Sequence, residues 1–125
     1  MLTIIATVLA GLIGAGIFFI GVLGMLAPKN AVGFGIPDTR PEDPAFRAWL
    51  MVKANRDIGS GLFFFVLIAN GSTPLLGWAM LAATFMPVCD AATVLRSKGP
   101  KATAYGVHGA TAAAMLVISV LLFLA

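Results

Sequence analysis

Charged side chains are scarce in this chain. Eight Lys and Arg and five Asp and Glu make up 10% of its 125 residues, against roughly 25% in soluble domains. With 60% of the residues hydrophobic, a soluble fold would have too little polar surface to present to water, so the excess must face lipid. Cys89 is the single cysteine, which excludes an intrachain disulfide and leaves the redox compartment open. His108 is the single histidine. With no second His or Cys beside it, a metal site is not expected. No phosphate-binding loop, dinucleotide fingerprint or Ser-His-Asp arrangement is present, and no cofactor is expected. The basic loop also carries Asp38, Glu42 and Asp43, which argues against nucleic acid as a partner.

What is present is apolar length. A hydrocarbon core of about 30 Å needs about 20 helical residues, and four stretches supply them. The first is predicted over residues 2–27, an uncharged run ended by Pro28. It has no basic leader and is too long for the apolar part of a signal peptide, so it reads as a span. The second is predicted over 45–69, opened by Pro44 and stopped at Asn70-Gly71. The third is predicted over 74–95, with Ser72 or Thr73 as its cap, and the fourth over 102–124. Short links after the second and third helices force antiparallel neighbours. The fold class is therefore all-α, a single domain forming an integral membrane four-helix up-down bundle.

Basic residues orient it. Lys29, Arg40, Arg47, Lys53 and Arg56 lie in or beside the loop after the first helix, and Arg96, Lys98 and Lys101 in or beside the turn after the third. The two regions must share a side, and the preference of Lys and Arg loops for the cytoplasm puts them there. Both termini are then non-cytoplasmic. Glycines at 11, 14, 16, 21 and 24 and the Gly/Ala positions 106, 109, 110, 112, 113 and 114 allow close helix approach in lipid. They fit packing within the chain or a homo-oligomer seam.

Ionisable groups within the spans are the functional signal, because each is costly in lipid when unpaired. In the second helix only Ile58–Ala69 is free of charge, about 18 Å of helix and too little to cross the core. At 100° per residue, Trp49, Lys53, Arg56, Asp57, Ser60 and Phe64 form one broad stripe, with Lys53 and Asp57 an i, i+4 pair. Asp90 lies six residues before Arg96, one turn past the helix-disrupting Pro87. His108 lies seven residues after Lys101, with Tyr105 and Thr111 on its face. Antiparallel helices put Asp90 and His108 at one depth, near Arg56 and Asp57. Pairing of Arg56 with Asp90 or Asp57 is expected, as is a hydrogen bond from His108 to a carboxylate. For Lys53 and Arg47 the expectation is snorkelling to the interface.

Four segments carry a resemblance: GVLGMLAP (Gly21–Pro28), NRDIGSG (Asn55–Gly61), PVCDAATVLR (Pro87–Arg96) and the isolated His108. The chain resembles, over nearly its whole length, the small bacterial and fungal membrane proteins grouped as domain of unknown function 4267, and more distantly the DoxX-like four-helix proteins. The resemblance implies a four-helix bundle and points to Arg56, Asp57, Asp90 and His108 as the site.

The leading functional expectation is an intramembrane site near the cytoplasmic face, open to a lipophilic small molecule. Asn55, Ser60, Phe64, Tyr105, Thr111 and Trp49 would supply binding contacts. If catalytic, the groups suit cofactor-independent isomerisation, cyclisation or dehydration: Asp90 or His108 moves the proton and Arg56 stabilises an anion. The alternative is a structural or assembly subunit whose ion pairs only fix helix packing. A small transporter is a third reading, weakened by the absence of an acidic residue in the first helix.

Overall fold

The computed structural model describes all 125 residues, Met1–Ala125, as helices and short connections with no strand. Helix α1 spans Leu2–Leu26 and is followed by a 3-10 segment, Pro28–Phe34. Helix α2 spans Pro44–Asn70. Helices α3 (Thr73–Ala83) and α4 (Phe85–Arg96) are one rod divided at Thr84. A second rod comprises α5 (Lys101–Thr103), a π-helical segment (Ala104–Gly109) and α6 (Ala110–Leu124). Three rods, Leu2–Leu26, Thr73–Arg96 and Lys101–Leu124, are long and apolar enough to cross a membrane. The charges of α2 keep it out of that class.

Local sequence sets the ends. Asp43 caps α2, its side chain accepting from Ala45 N–H at 2.8 Å, and Pro44 takes the first position, where its missing N–H costs nothing. Gly71, with φ 81°, closes α2 in the left-handed conformation that suits glycine. Ser72 caps α3. The break at Thr84 follows from Pro87, which has no N–H for the carbonyl of Ala83 and crowds it. The Thr84 hydroxyl instead donates to Met80 O at 3.0 Å. The helix expected over 74–95 is thus two helices, and the one expected over 102–124 contains a π segment that no sequence pattern announced.

Packing differs between the two ends. Thr3 Oγ1 donates to Ala125 O, so the termini lie together. Toward that end Ala6, Ala10, Phe64, Leu67, Leu76, Met80, Met115, Ile118 and Leu122 form a solid apolar core. Buried Ser119 ties α6 to α3 by donating to Gly77 O at 2.9 Å. Helices α1 and α2 touch backbone to backbone. A Cβ on Gly21 would lie 2.7 Å from Ala54 O, and one on Gly61 would lie 2.7 Å from Gly14 O. The glycines of α1 at positions 14 and 21 are therefore used inside the chain.

At the opposite end the two basic connections meet. Gly35, buried with φ 98°, lies under Val94 and Thr103, and a Cβ on Gly99 would collide with Gly35 O. The loop after α1 is thereby pinned beneath the turn after α4. At this end α4 packs chiefly on the π segment, while α1 packs on α2. A cleft is left between the two pairs.

Candidate functional site

The cleft, about 280 Å³, lies between α1, the 3-10 segment, α2, α4 and the π segment. Its polar lining is Asn30, Lys53, Asp57, Asp90, His108 and Thr111. Its apolar walls include Ile17, Ile20, Met86, Val107 and Met115. The polar groups arrive on the 3-10 segment, α2, α4, the π segment and α6. Lys53 and Asp57 are an i, i+4 pair on α2 and form a salt bridge. Asp90 stands on α4 one residue short of a full turn past buried Pro87. His108 sits in the π segment, where the wider turn displaces its side chain from the register an α-helix would give.

His108 is buried and doubly held. Its Nε2 is 2.9 Å from the carbonyl oxygen of Phe34, and its ring is tilted on the Phe34 ring at a centroid distance of 4.5 Å. A carbonyl oxygen only accepts, so Nε2 carries the hydrogen. Nδ1 is the nitrogen left facing the cleft, 4.0 Å from Asp90 Oδ2. That distance is beyond a direct hydrogen bond. The expected hydrogen bond from His108 to a carboxylate is therefore replaced by one to a backbone carbonyl. A gap of that size lets one oxygen atom sit about 2.8 Å from both groups.

Phe34 is the residue that sequence reasoning missed. It comes from the loop, between Gly33 and Gly35, and its ring lies 5.3 Å beneath Lys53 Nζ as well as against His108. A cation over an aromatic face is attracted by the ring quadrupole. Phe34 also lines a second, mostly apolar cavity of about 390 Å³ between α1, the 3-10 segment and α2. The only signal available was a large aromatic flanked by glycines in an otherwise polar loop.

The expected site residues divide. Asp57, Asp90, His108 and Thr111 line the cleft, and Trp49 lines the second cavity with 74% of its surface exposed. Asn55 and Arg56 are exposed and Ser60 is half-buried, and none of the three lines either cavity. Tyr105 is 62% exposed, and Phe64, 2% exposed, belongs to the apolar core. The expected pairing of Arg56 with Asp90 or Asp57 does not occur: Lys53 holds Asp57. The reason is angular. With Trp49 at zero and 100° per residue, the buried positions Ala54, Gly61, Phe64 and Leu67 centre near 80°, where Asp57 also falls, and Arg56 is about 100° away from that centre.

This sets a prediction. Lys53→Met should lower stability by about 1–2 kcal/mol, because Asp57 would stand unpaired in a partly desolvated cleft. Arg56→Met should change it by no more than about 0.5 kcal/mol. Thermal unfolding of both variants in the same detergent checks the difference, and Lys53→Met with Asp57→Leu should recover most of the loss.

Comparisons with known proteins add one positive result. No curated protein and no solved structure matches the chain. The family described as "Domain of unknown function (DUF4267)" matches residues 14–122, a span that contains Asp57, Asp90, His108, Lys53 and Phe34. A match over that much of the sequence makes the chain a member of the DUF4267 family.

Proposed function

We propose that this protein is a four-helix up-down membrane bundle whose cleft binds a lipophilic small molecule by an oxygen-bearing end. Helix α2 serves as the fourth span: its 27 residues extend about 40 Å, enough to cross. Its Lys53–Asp57 pair turns into the cleft, Arg47 sits toward the basic end, and Arg56, exposed at the level of the pair, reaches toward that end along its long side chain. The basic end faces the cytoplasm and the termini face away, because Lys and Arg flank only the connections at that end.

The observation that carries the binding reading is the 4.0 Å gap between His108 Nδ1 and Asp90 Oδ2, set in a cleft with apolar walls. A hydroxyl or enol in that gap can donate its hydrogen to the bare Nδ1 and accept from Asp90 in its protonated form, whereas a carbonyl oxygen, which only accepts, has a partner only in protonated Asp90. Two partners so positioned can also exchange a proton with the bound oxygen or its neighbouring carbon. That is the acid–base chemistry of a cofactor-independent isomerase or cyclase, with Lys53 rather than Arg56 as the nearby cation. A subunit whose ion pairs only fix packing would have no use for an open cleft at those pairs. A transport path is disfavoured by the solid core at the far end.

The test is extraction. Protein purified in mild detergent is stripped with organic solvent and the extract compared by mass spectrometry with that from Asp90→Asn and from Arg56→Gln. A lipophile enriched with the wild type and Arg56→Gln but lost with Asp90→Asn is expected. Identical extracts from all three contradict the reading.

A further inference from the structure

The second cavity has no part in the site so far. It is lined by Ile20, Leu23, Ile36, Phe46, Trp49 and Leu50 among others, and at about 390 Å³ it is larger than the cleft. It is not a separate feature. Ile20, Asn30, Phe34, Lys53 and Asp57 line both cavities, and of these Phe34 presents the one aromatic ring, against both His108 and Lys53. The Phe34 backbone carbonyl is held by His108, while its ring is held by one ring contact and one cation contact, and a turn of the ring would break those two contacts and leave the backbone hydrogen bond in place. Ile20, Lys53 and Asp57 are fixed on α1 and α2, whereas Phe34 ends a seven-residue 3-10 segment.

We infer that the apolar cavity takes the hydrocarbon chain of the molecule whose polar end enters the cleft, that Phe34 is the movable partition between them, and that the polar end is uncharged. This rests on the binding reading above. The size fits: about 390 Å³ is roughly the space of a dozen water-sized atoms, a medium-length chain. The walls fit, because an apolar cavity of this kind gains nothing from water and is filled favourably by methylenes. The charge fits as well. Lys53 is already neutralised by Asp57, so the cleft has no free cation for an anionic headgroup, and such a group would face Asp57 and Asp90. An alcohol meets no such repulsion, and its hydroxyl can donate to the bare Nδ1 of His108.

Trp49 lines the chain cavity, and the chain's other tryptophan, Trp78, lies on α3 against Phe123. A Trp78→Phe protein in lipid nanodiscs therefore reports from Trp49 alone. The probes are dodecanol brominated at its far end, the matching dodecanoate, and a phosphatidylcholine with brominated chains. The single histidine, labelled with ¹⁵N, reports on the cleft separately.

Saturable quenching of Trp49 by the brominated alcohol, with a saturable shift of His108, is expected. Ala31→Phe, which fills the chain cavity from the loop, should weaken the quenching about tenfold, the equivalent of fewer than two buried methylenes. A saturable His108 shift without saturable Trp49 quenching overturns the chain-cavity inference and leaves the cleft reading standing. No His108 shift with any probe, together with quenching that is linear and unchanged in Ala31→Phe, overturns both. Dodecanoate acting as strongly as the alcohol overturns the uncharged end. Brominated phosphatidylcholine quenching in the same saturable, Ala31→Phe-sensitive way overturns the selective ligand in favour of ordinary lipid.

Discussion

Gly61→Leu is expected to abolish the folded protein, while Gly59→Ala, two residues earlier in the same NRDIGSG segment, leaves it intact. A Cβ at position 61 would lie 2.6 Å from Phe18 Cβ, 2.7 Å from Gly14 O and 2.9 Å from Phe18 N. Two of these are backbone atoms of α1, so no rotamer change relieves the contact and the two helices must separate. Overpacking a core typically costs about 1–3 kcal/mol, and a leucine driven between two touching backbones belongs at or beyond the upper end. Gly61→Ala should already lower the unfolding midpoint clearly. Gly59 has nothing within 4 Å of its would-be Cβ, so alanine there removes only glycine's helix penalty, about 1 kcal/mol in the stabilising direction. Near-UV circular dichroism and gel filtration in detergent read both outcomes. Comparable loss from the two substitutions would mean that the α1–α2 seam is not where the close approach lies.

Asp90→Asn combined with His108→Gln is expected to weaken retention of the bound lipophile by about 10- to 100-fold while the bundle stays folded. Each hydrogen bond to a charged or strongly polarised group contributes about 1.5–3 kcal/mol, and a factor of ten corresponds to about 1.4 kcal/mol. The two substitutions keep side-chain volume, and glutamine can still donate to Phe34 O. Asp90 faces Lys53, Asp57 and His108 across the cleft, so its replacement removes a partner for the ligand rather than a strut of the apolar core. Lipophile recovery per mole of protein, alongside the unfolding midpoint, separates loss of binding from loss of fold.

The sequence was explicit about apolar length and about which connections were basic, because both are one-dimensional properties. Three of the expected apolar stretches, those of α1, α3 with α4, and the last rod, and the shared side of Lys29, Arg40, Arg96, Lys98 and Lys101 needed no tertiary information, and Gly35 and Gly99 now lie against each other at that end. Asp90 and His108 could be brought together from depth alone, since two helices descending from one turn reach the same level after equal lengths. Choosing between Lys53 and Arg56 could not be done that way. It depends on the angular centre of α2's buried face, which is set by where Gly14 and Gly21 of α1 touch it. Phe34 was beyond reach for a related reason. It belongs to a loop with no periodicity, and its partners His108 and Lys53 are far away in the chain. The Thr84 break was foreshadowed by Pro87, whereas the π segment was hidden: Gly106 and Gly109 read as a small-residue face, not as a change of helical pitch.

The most direct measurement is the ¹⁵N spectrum of His108, the sole histidine, recorded on protein as purified and again after its lipophile has been stripped. Nε2 should remain the protonated nitrogen in both states, held by the Phe34 carbonyl, while Nδ1 shifts on stripping and returns when the extract is added back. An Nδ1 resonance that is the same with and without the extract would mean that nothing binds between His108 and Asp90, and the cleft would be a packing gap rather than a site.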